Sequence, residues 1–115
     1  MKNKEYFSFI KMIEYIEKAK KYTEGFTFEQ FQDDEKTIDA TVFTVSQIGE
    51  LVKNISKETM DKYKNIEWNM IKGLRNRIVH DYEGINLKSI WYILNNDIIQ
   101  LKLDIQNILN NEQNN

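Results

Sequence analysis

An all-α fold is predicted by three observations. The 115-residue chain has no proline and only 4 glycines, so nothing sterically interrupts its helices. Its apolar residues recur at three- and four-residue intervals, and no stretch alternates apolar with polar residues as a half-buried strand does. The length fits one domain, residues 1–115, large enough to bury a core without a metal or disulfide staple.

Taken in order, Tyr6, Phe9, Ile10, Ile13 and Ile16 mark the apolar face of a first helix over about 3–23, and Gly25 after Lys20, Lys21 and Tyr22 reads as its stop. Thr27-Phe28-Glu29-Gln30 fits a capping box that opens a short turn ending near Gln32, and Phe26, Phe28 and Phe31 are expected to plug the bundle end. Asp33, Asp34 and Glu35 suit a helix N-terminus. Behind them Ile38, Val42, Val45, Gly49 and Val52 define a second long helix to about Ile55. Ser56-Lys57-Glu58-Thr59 caps a short helix to about Tyr63, and another is expected from about Glu67 to Tyr82, stopped at Gly84. Asn86 caps the last helix, in which Leu87, Trp91, Leu94, Ile98, Leu101, Ile105 and Ile108 alternate four-three spacings. The Asn-rich end, 110–115, is expected to fray. The predicted architecture is an antiparallel bundle of four or five helices. Ile90, Ile93, Ile99 and Leu103 broaden the last helix's apolar surface, as in a helix that is central or shared with a second copy, so a homodimer is expected.

Composition excludes several function classes. With no cysteine and one histidine, thiol chemistry, zinc ribbons and His-rich metal cages are ruled out. Asp33-Asp34-Glu35 reads as a helix cap rather than a magnesium site, so neither metal nor cofactor is expected. The N-terminal apolar residues are broken by Lys4, Glu5, Lys11, Glu14, Glu17 and Lys18, and no apolar run approaches a membrane span. A cytoplasmic protein without membrane attachment is expected. A net charge of -2 argues against indiscriminate coating of nucleic acid and leaves room for a local basic patch.

That patch is found in Lys72-Gly73-Leu74-Arg75-Asn76-Arg77-Ile78-Val79-His80-Asp81-Tyr82. With Arg75 at zero and about 100° per residue, Ile71, Leu74, Ile78, Tyr82 and Val79 span an arc from roughly 260° through zero to about 40°. Arg75 falls inside that apolar arc, where a guanidinium needs a carboxylate, a phosphate or a cleft. Asn76 and His80, four apart, share the adjacent face. One reading makes Arg75 a core-edge residue paired with Glu50 or Asp97 and His80 an ordinary helical histidine. The other notes that Lys72, Arg75 and Arg77 stand beside an imidazole and a phenol, a set able to hold a phosphodiester.

The run Gly73 to Tyr82 resembles the signature of HepT-like toxins in the HEPN superfamily: Arg, four residues, His, one residue, Tyr. Asp34-Glu35-Lys36-Thr37-Ile38-Asp39-Ala40, Ile48-Gly49-Glu50, Ile66-Glu67-Trp68 and Trp91 with Asn96-Asp97 resemble the same family in matching order, over nearly the whole chain. The resemblance implies a helical bundle that assembles as a homodimer or a higher oligomer and cleaves RNA without metal at a cleft shared by two protomers. Arg75 and His80 would be the catalytic pair, Asn76 a supporting polar group, and Lys72 and Arg77 substrate-binding cations. Tyr82 would be the tyrosine that a partner MntA-like nucleotidyltransferase antitoxin modifies with AMP. Asp81 and Glu83 depart from the small and aromatic residues found around that tyrosine in many relatives.

Chemistry constrains this reading. Metal-free RNA cleavage needs a base for the 2′-hydroxyl, an acid for the leaving oxygen and a cation for the phosphorane charge. An ideal helix sets positions 75 and 80 about 140° and 7.5 Å apart, so a two-fold dimer would help both reach one phosphate. The alternative is a non-catalytic substrate-binding or scaffold subunit of a minimal nucleotidyltransferase, with the pair only gripping phosphate. Trp68 and Trp91 are read as core residues rather than base-stacking platforms.

Overall fold

A computed structural model describes residues 1–113 and contains helices and turns, with no strand among the described residues. The helices are α1 (Asn3–Tyr22), α2 (Phe28–Gln32), α3 (Glu35–Leu51), α4 (Lys57–Lys62), α5 (Trp68–Lys72), α6 (Leu74–Glu83), α7 (Leu87–Tyr92) and α8 (Ile98–Gln113). A 3₁₀ turn, Val52–Asn54, follows α3, and a π-helical segment, Ile93–Asp97, joins α7 to α8. Among the described residues no helix is long and apolar enough to cross a membrane.

The caps form where the sequence puts them. The Thr27 hydroxyl accepts from the Gln30 N–H at 3.1 Å while the Gln30 amide oxygen accepts from the Thr27 N–H at 2.9 Å, a reciprocal box that satisfies two end-of-helix donors. Asp34, Ser56 and Asn86 accept from Thr37, Thr59 and Ser89 N–H groups at the starts of α3, α4 and α7. Gly25 turns the chain after α1 with φ 78°, a conformation that costs glycine little.

Helix α3 is the centre of the bundle, packing on α1 along one side and on α6 along the other, while α1 also meets α8. Ile38, Val42, Val45, Ile48 and Gly49 of α3 are buried, and Phe9, Met12, Ile16 and Ala19 of α1 close over them. Removing each large aliphatic side chain from water contributes about 1.5–3 kcal/mol before entropy is counted. Phe31 and Phe28 lie against Trp91, with ring centroids 5.1 and 6.1 Å apart, so the phenylalanine plug at the bundle end is present. Trp68 is tilted against Phe9 at 6.5 Å, also on the core side.

Three sequence expectations need correction. The α1 face is rotated, so that Tyr6 lies at the surface and Met12 and Ala19 are inside. The helix expected over 67–82 is broken at Gly73, which ends α5 and begins α6. The last helix is not uniform: its π-helical turn accommodates an extra residue and resets the phase, so that Ile90 before it and Ile93 at its first position face inward together with Ile98, Leu101 and Ile105 after it. Those isoleucines are therefore spent on the protomer's own core, leaving Leu103, half exposed, on the outside. The chain is helical through Gln113, where Glu112 accepts from Lys62 Nζ at 2.8 Å and from the Tyr63 hydroxyl. Positions 114 and 115 lie outside the described residues.

Candidate active site

Glycine 49 determines how α6 lies. A Cβ built on Gly49 would stand 2.7 Å from the Arg75 backbone nitrogen and 2.8 Å from the Arg75 Cβ, closer than packed atoms tolerate. The absent side chain lets the start of α6 rest directly on α3. Further along, the Tyr82 hydroxyl donates to Asp39 Oδ1 at 2.5 Å. With residue 49 beside 75 and residue 39 beside 82, the two helices run antiparallel. Asp39, Phe43, Ser46 and Glu50 repeat at helical spacing along the adjoining surface of α3, and Phe43 on that stripe is 64% exposed.

Arg75 is at the surface, not inside the apolar arc. Its side chain is 49% exposed, its Nε lies 3.7 Å from Glu50 Oε1, and Nη1 donates to Asn76 Oδ1 at 3.2 Å. The break at Gly73 explains the difference, because Ile71 belongs to a separate helix and does not fix the phase of α6. The buried face of α6 is Leu74, Ile78 and Asp81, with Tyr82 outside it. Of the two partners expected for Arg75, Glu50 is the one found; Asp97 instead accepts from Arg77 Nη1 at 2.8 Å. Glu50 also accepts from Lys53 at 2.7 Å, and this hydrogen bond, helped by Arg75, holds its carboxyl below the ordinary range.

His80 has its side chain 89% exposed, with Asp81 Oδ1 4.0 Å from Nδ1, too far for a hydrogen bond. Its ring is open to an incoming molecule. Asn76, one turn before it, is exposed as well. Arg77 points to the π-helical segment, where Asp97 holds it, so it is not brought together with Arg75. Lys72 is exposed on α5 and makes no ion pair among the described residues. Arg75, Asn76, His80 and Tyr82 are thus all exposed on α6, Arg75 and Tyr82 on the side that meets α3, whereas Arg77 is held by Asp97.

Of the two acids flanking Tyr82 in sequence, Asp81 turns inward. Asp81 is buried, and its carboxylate accepts from the Ser89 hydroxyl while its carbonyl accepts from the Asn86 N–H at 2.7 Å. It fastens the start of α7. The acid that meets the Tyr82 phenol is Asp39, 43 positions away; that hydrogen bond, with desolvation and the charges of Asp39 and Glu35, raises the phenol's pKa above its usual value. No short-range sequence signal reveals Asp39 as this partner. The antiparallel register of α3 and α6 creates the pair. After Tyr82 the helix ends with Gly84 at φ -82°, and the left-handed residue is Ile85, at φ 55° and 76% exposed.

A family model described as "Ribonuclease HepT-like" matches residues 12–108. "Putative RNase TTE0752" of Caldanaerobacter subterraneus subsp. tengcongensis is 35% identical over 89 residues, 77% of this chain and 80% of that protein. "Putative RNase MJ0127" of Methanocaldococcus jannaschii is 34% identical, with 81% of this chain and 80% of that protein covered. "Probable ribonuclease HepT" of Thermococcus cleftensis is 32% identical over 77% of this chain and 81% of its own length. No solved structure matches. The family match spans α3 and α6, the second of which carries the exposed Arg75, His80 and Tyr82, and the chain belongs to the ribonuclease HepT-like family.

Proposed function

We propose that this protein is the ribonuclease toxin of a toxin–antitoxin module, cutting RNA without a metal ion at a composite Arg75/His80 site formed by two protomers. The observation that carries the reading is the exposure of the Arg75 guanidinium and the His80 imidazole on one helix, the first held by a 3.7 Å ion pair and a hydrogen bond to the adjacent Asn76 and the second without a close partner. In the proposed reaction the 2′-oxygen bonds to phosphorus, its proton passes to an imidazole, and the 5′-oxygen leaves with a proton, giving a 2′,3′-cyclic phosphate and a 5′-hydroxyl. Arg75 neutralises charge on the non-bridging oxygens, exchanging Glu50 for phosphate. Asn76 supports this exchange, since it already accepts from Arg75, and Lys72 adds a phosphate contact. Arg77 has the weakest claim to substrate, being already held by Asp97.

One imidazole can take the 2′ proton as base and return it to the 5′-oxygen as acid, but positions 75 and 80 stand about 140° apart on an ideal helix. A second copy brings its guanidinium to that imidazole. Exposed Phe43 on the site's own surface and exposed Ile85 just beyond α6 are apolar groups that a symmetric partner would cover. Neutralisation is assigned to Tyr82. Its phenolic oxygen attacks the α-phosphorus of ATP brought by an MntA-like nucleotidyltransferase, pyrophosphate leaves, and the proton passes toward Asp39, which already accepts that hydrogen. The attached AMP would set an anion about 10 Å along α6 from Arg75, blocking RNA by bulk and repulsion.

Cleavage of a labelled single-stranded RNA in EDTA tests the function. Wild-type protein cuts it and Arg75→Ala does not. An Arg75→Ala protein that retains full activity, or an inactive wild type that still binds RNA, favours the scaffold-subunit reading instead.

A further inference from the structure

A groove of about 770 Å³ opens beside the amino end of α6, between the 3₁₀ turn, α4 and α5. It reaches the site described above through Gly49, which lines it and touches the Arg75 backbone, and through Lys72, which stands on its wall. Its charge is unlike that of the whole molecule. Lys53, Lys57, Lys64 and Lys72 line it against two acids, Asp61 and Glu67, in a chain of net charge -2. Lys53 is held by Glu50 at 2.7 Å. The other three are exposed and make no ion pair among the described residues.

The floor is apolar. Val52, Met60 and Trp68 contribute to it, and the indole is fixed in place by Phe9 at 6.5 Å and by its Nε1–H, which donates to the Tyr63 carbonyl at 3.0 Å. A lysine rim over an apolar, partly aromatic floor matches the two chemistries of a nucleotide chain: anionic phosphates along one edge and flat base faces along the other. A folded duplex presents its bases stacked inside and offers such a floor nothing; an unpaired strand offers both.

We infer that this groove is an RNA subsite, holding a few unpaired nucleotides on one side of the scissile phosphate and feeding the strand past Lys72 to Arg75. The inference rests on the ribonuclease reading and adds to it a substrate class, single-stranded RNA, and a path.

Fluorescence anisotropy tests it, with the full chain carrying His80→Ala to prevent cleavage and a fluorescein-labelled unstructured RNA of about 20 nucleotides. Lys57→Gln/Lys64→Gln in that background is compared with Lys18→Gln/Lys20→Gln, which removes two exposed cations from α1. Over about 50 to 200 mM salt, losing two phosphate contacts makes the slope of log affinity against log salt shallower by about 1.4 and weakens binding roughly tenfold at the low end. The α1 double variant binds like its parent, and Lys57→Arg/Lys64→Arg restores the slope. An unchanged slope in the glutamine variant, or an equal change in the α1 control, overturns the groove. The ribonuclease reading survives that result if wild-type protein still cleaves with dependence on Arg75, and falls with the groove if the protein neither binds nor cuts RNA.

Discussion

Glu112 and Arg75 are both charged groups in ion pairs, yet they are treated in opposite ways. The Glu112 side chain is 17% exposed and is enclosed by Lys62, the Tyr63 hydroxyl and the Met1 amino group. Those partners hold its carboxyl down at about 2, with the Lys62 hydrogen bond the largest cause. Glu5 is similar: burial would raise its pKa, but hydrogen bonds from Ser56, Thr59 and Lys2 outweigh that and lower it. Arg75 is 49% exposed with one ion pair at 3.7 Å, and His80 is 89% exposed. Charges that join helices have their bonding capacity filled by the chain; the charges proposed to meet substrate keep donors free. An unfilled donor is affordable only where water can reach it until phosphate does.

Several substitutions break or sharpen that contrast. The largest effect is expected on catalysis at the open group: His80→Ala and Arg75→Ala each lower RNA cleavage by about 10²–10⁴-fold. Neither moves the melting free energy by more than about 0.5 kcal/mol, as for other exposed positions, and an activity assay paired with denaturant melts checks both. Gly49→Ala crosses the boundary between the two regions. Its methyl meets Arg75 backbone at 2.7 Å, so α6 must shift, with about 1–3 kcal/mol of stability lost and cleavage reduced.

Glu112→Gln affects the closed group alone. The folded carboxyl lies near 2 against an ordinary 4.5, so the unfolded chain takes up the proton first as the pH falls. The stabilisation is complete above about 4.5 and fades as the pH drops toward 2. The variant is less stable at pH 7, its stability declines less steeply through that window, and its cleavage is unaltered. The smallest effect belongs to Tyr82→Phe, which loses one exposed hydrogen bond to Asp39 and shifts stability by no more than about 0.5 kcal/mol. It still cuts RNA, and mass spectrometry after incubation with the nucleotidyltransferase and ATP finds no added AMP.

The helix ends and the α3 face were more legible in the sequence than the partners of the exposed site, for a physical reason. Caps are local, so Thr27 with Gln30, Ser56 with Thr59 and Asn86 with Ser89 are written within three residues. The inward face of α3 was equally plain, since one unbroken helix keeps one phase. Phase failed where the helix was interrupted. Gly73 separated Ile71 from the rest of α6 and moved Arg75 to the surface, and the π-helical turn at Ile93–Asp97 carried Ile90 and Ile93 inward. The residues expected at the site were named by a motif confined to α6. Their partners on α3 were not, because Asp39 meets Tyr82 only through an antiparallel register set 43 positions away. Gly49 was read as one step in a helical stripe, while its role in admitting the Arg75 backbone depends on the close approach of two helices.

The shared site can be tested by mixing two inactive proteins. Arg75→Ala and His80→Ala are purified separately, unfolded and refolded together in equal amounts, and RNA cleavage in EDTA is compared with each alone. If the guanidinium of one copy serves the imidazole of the other, half the dimers are hybrids with one intact site in two, and activity returns to about a quarter of wild type. Activity that stays at the level of the separate variants, in a mixture shown to contain hybrid dimers, contradicts a site built from two protomers.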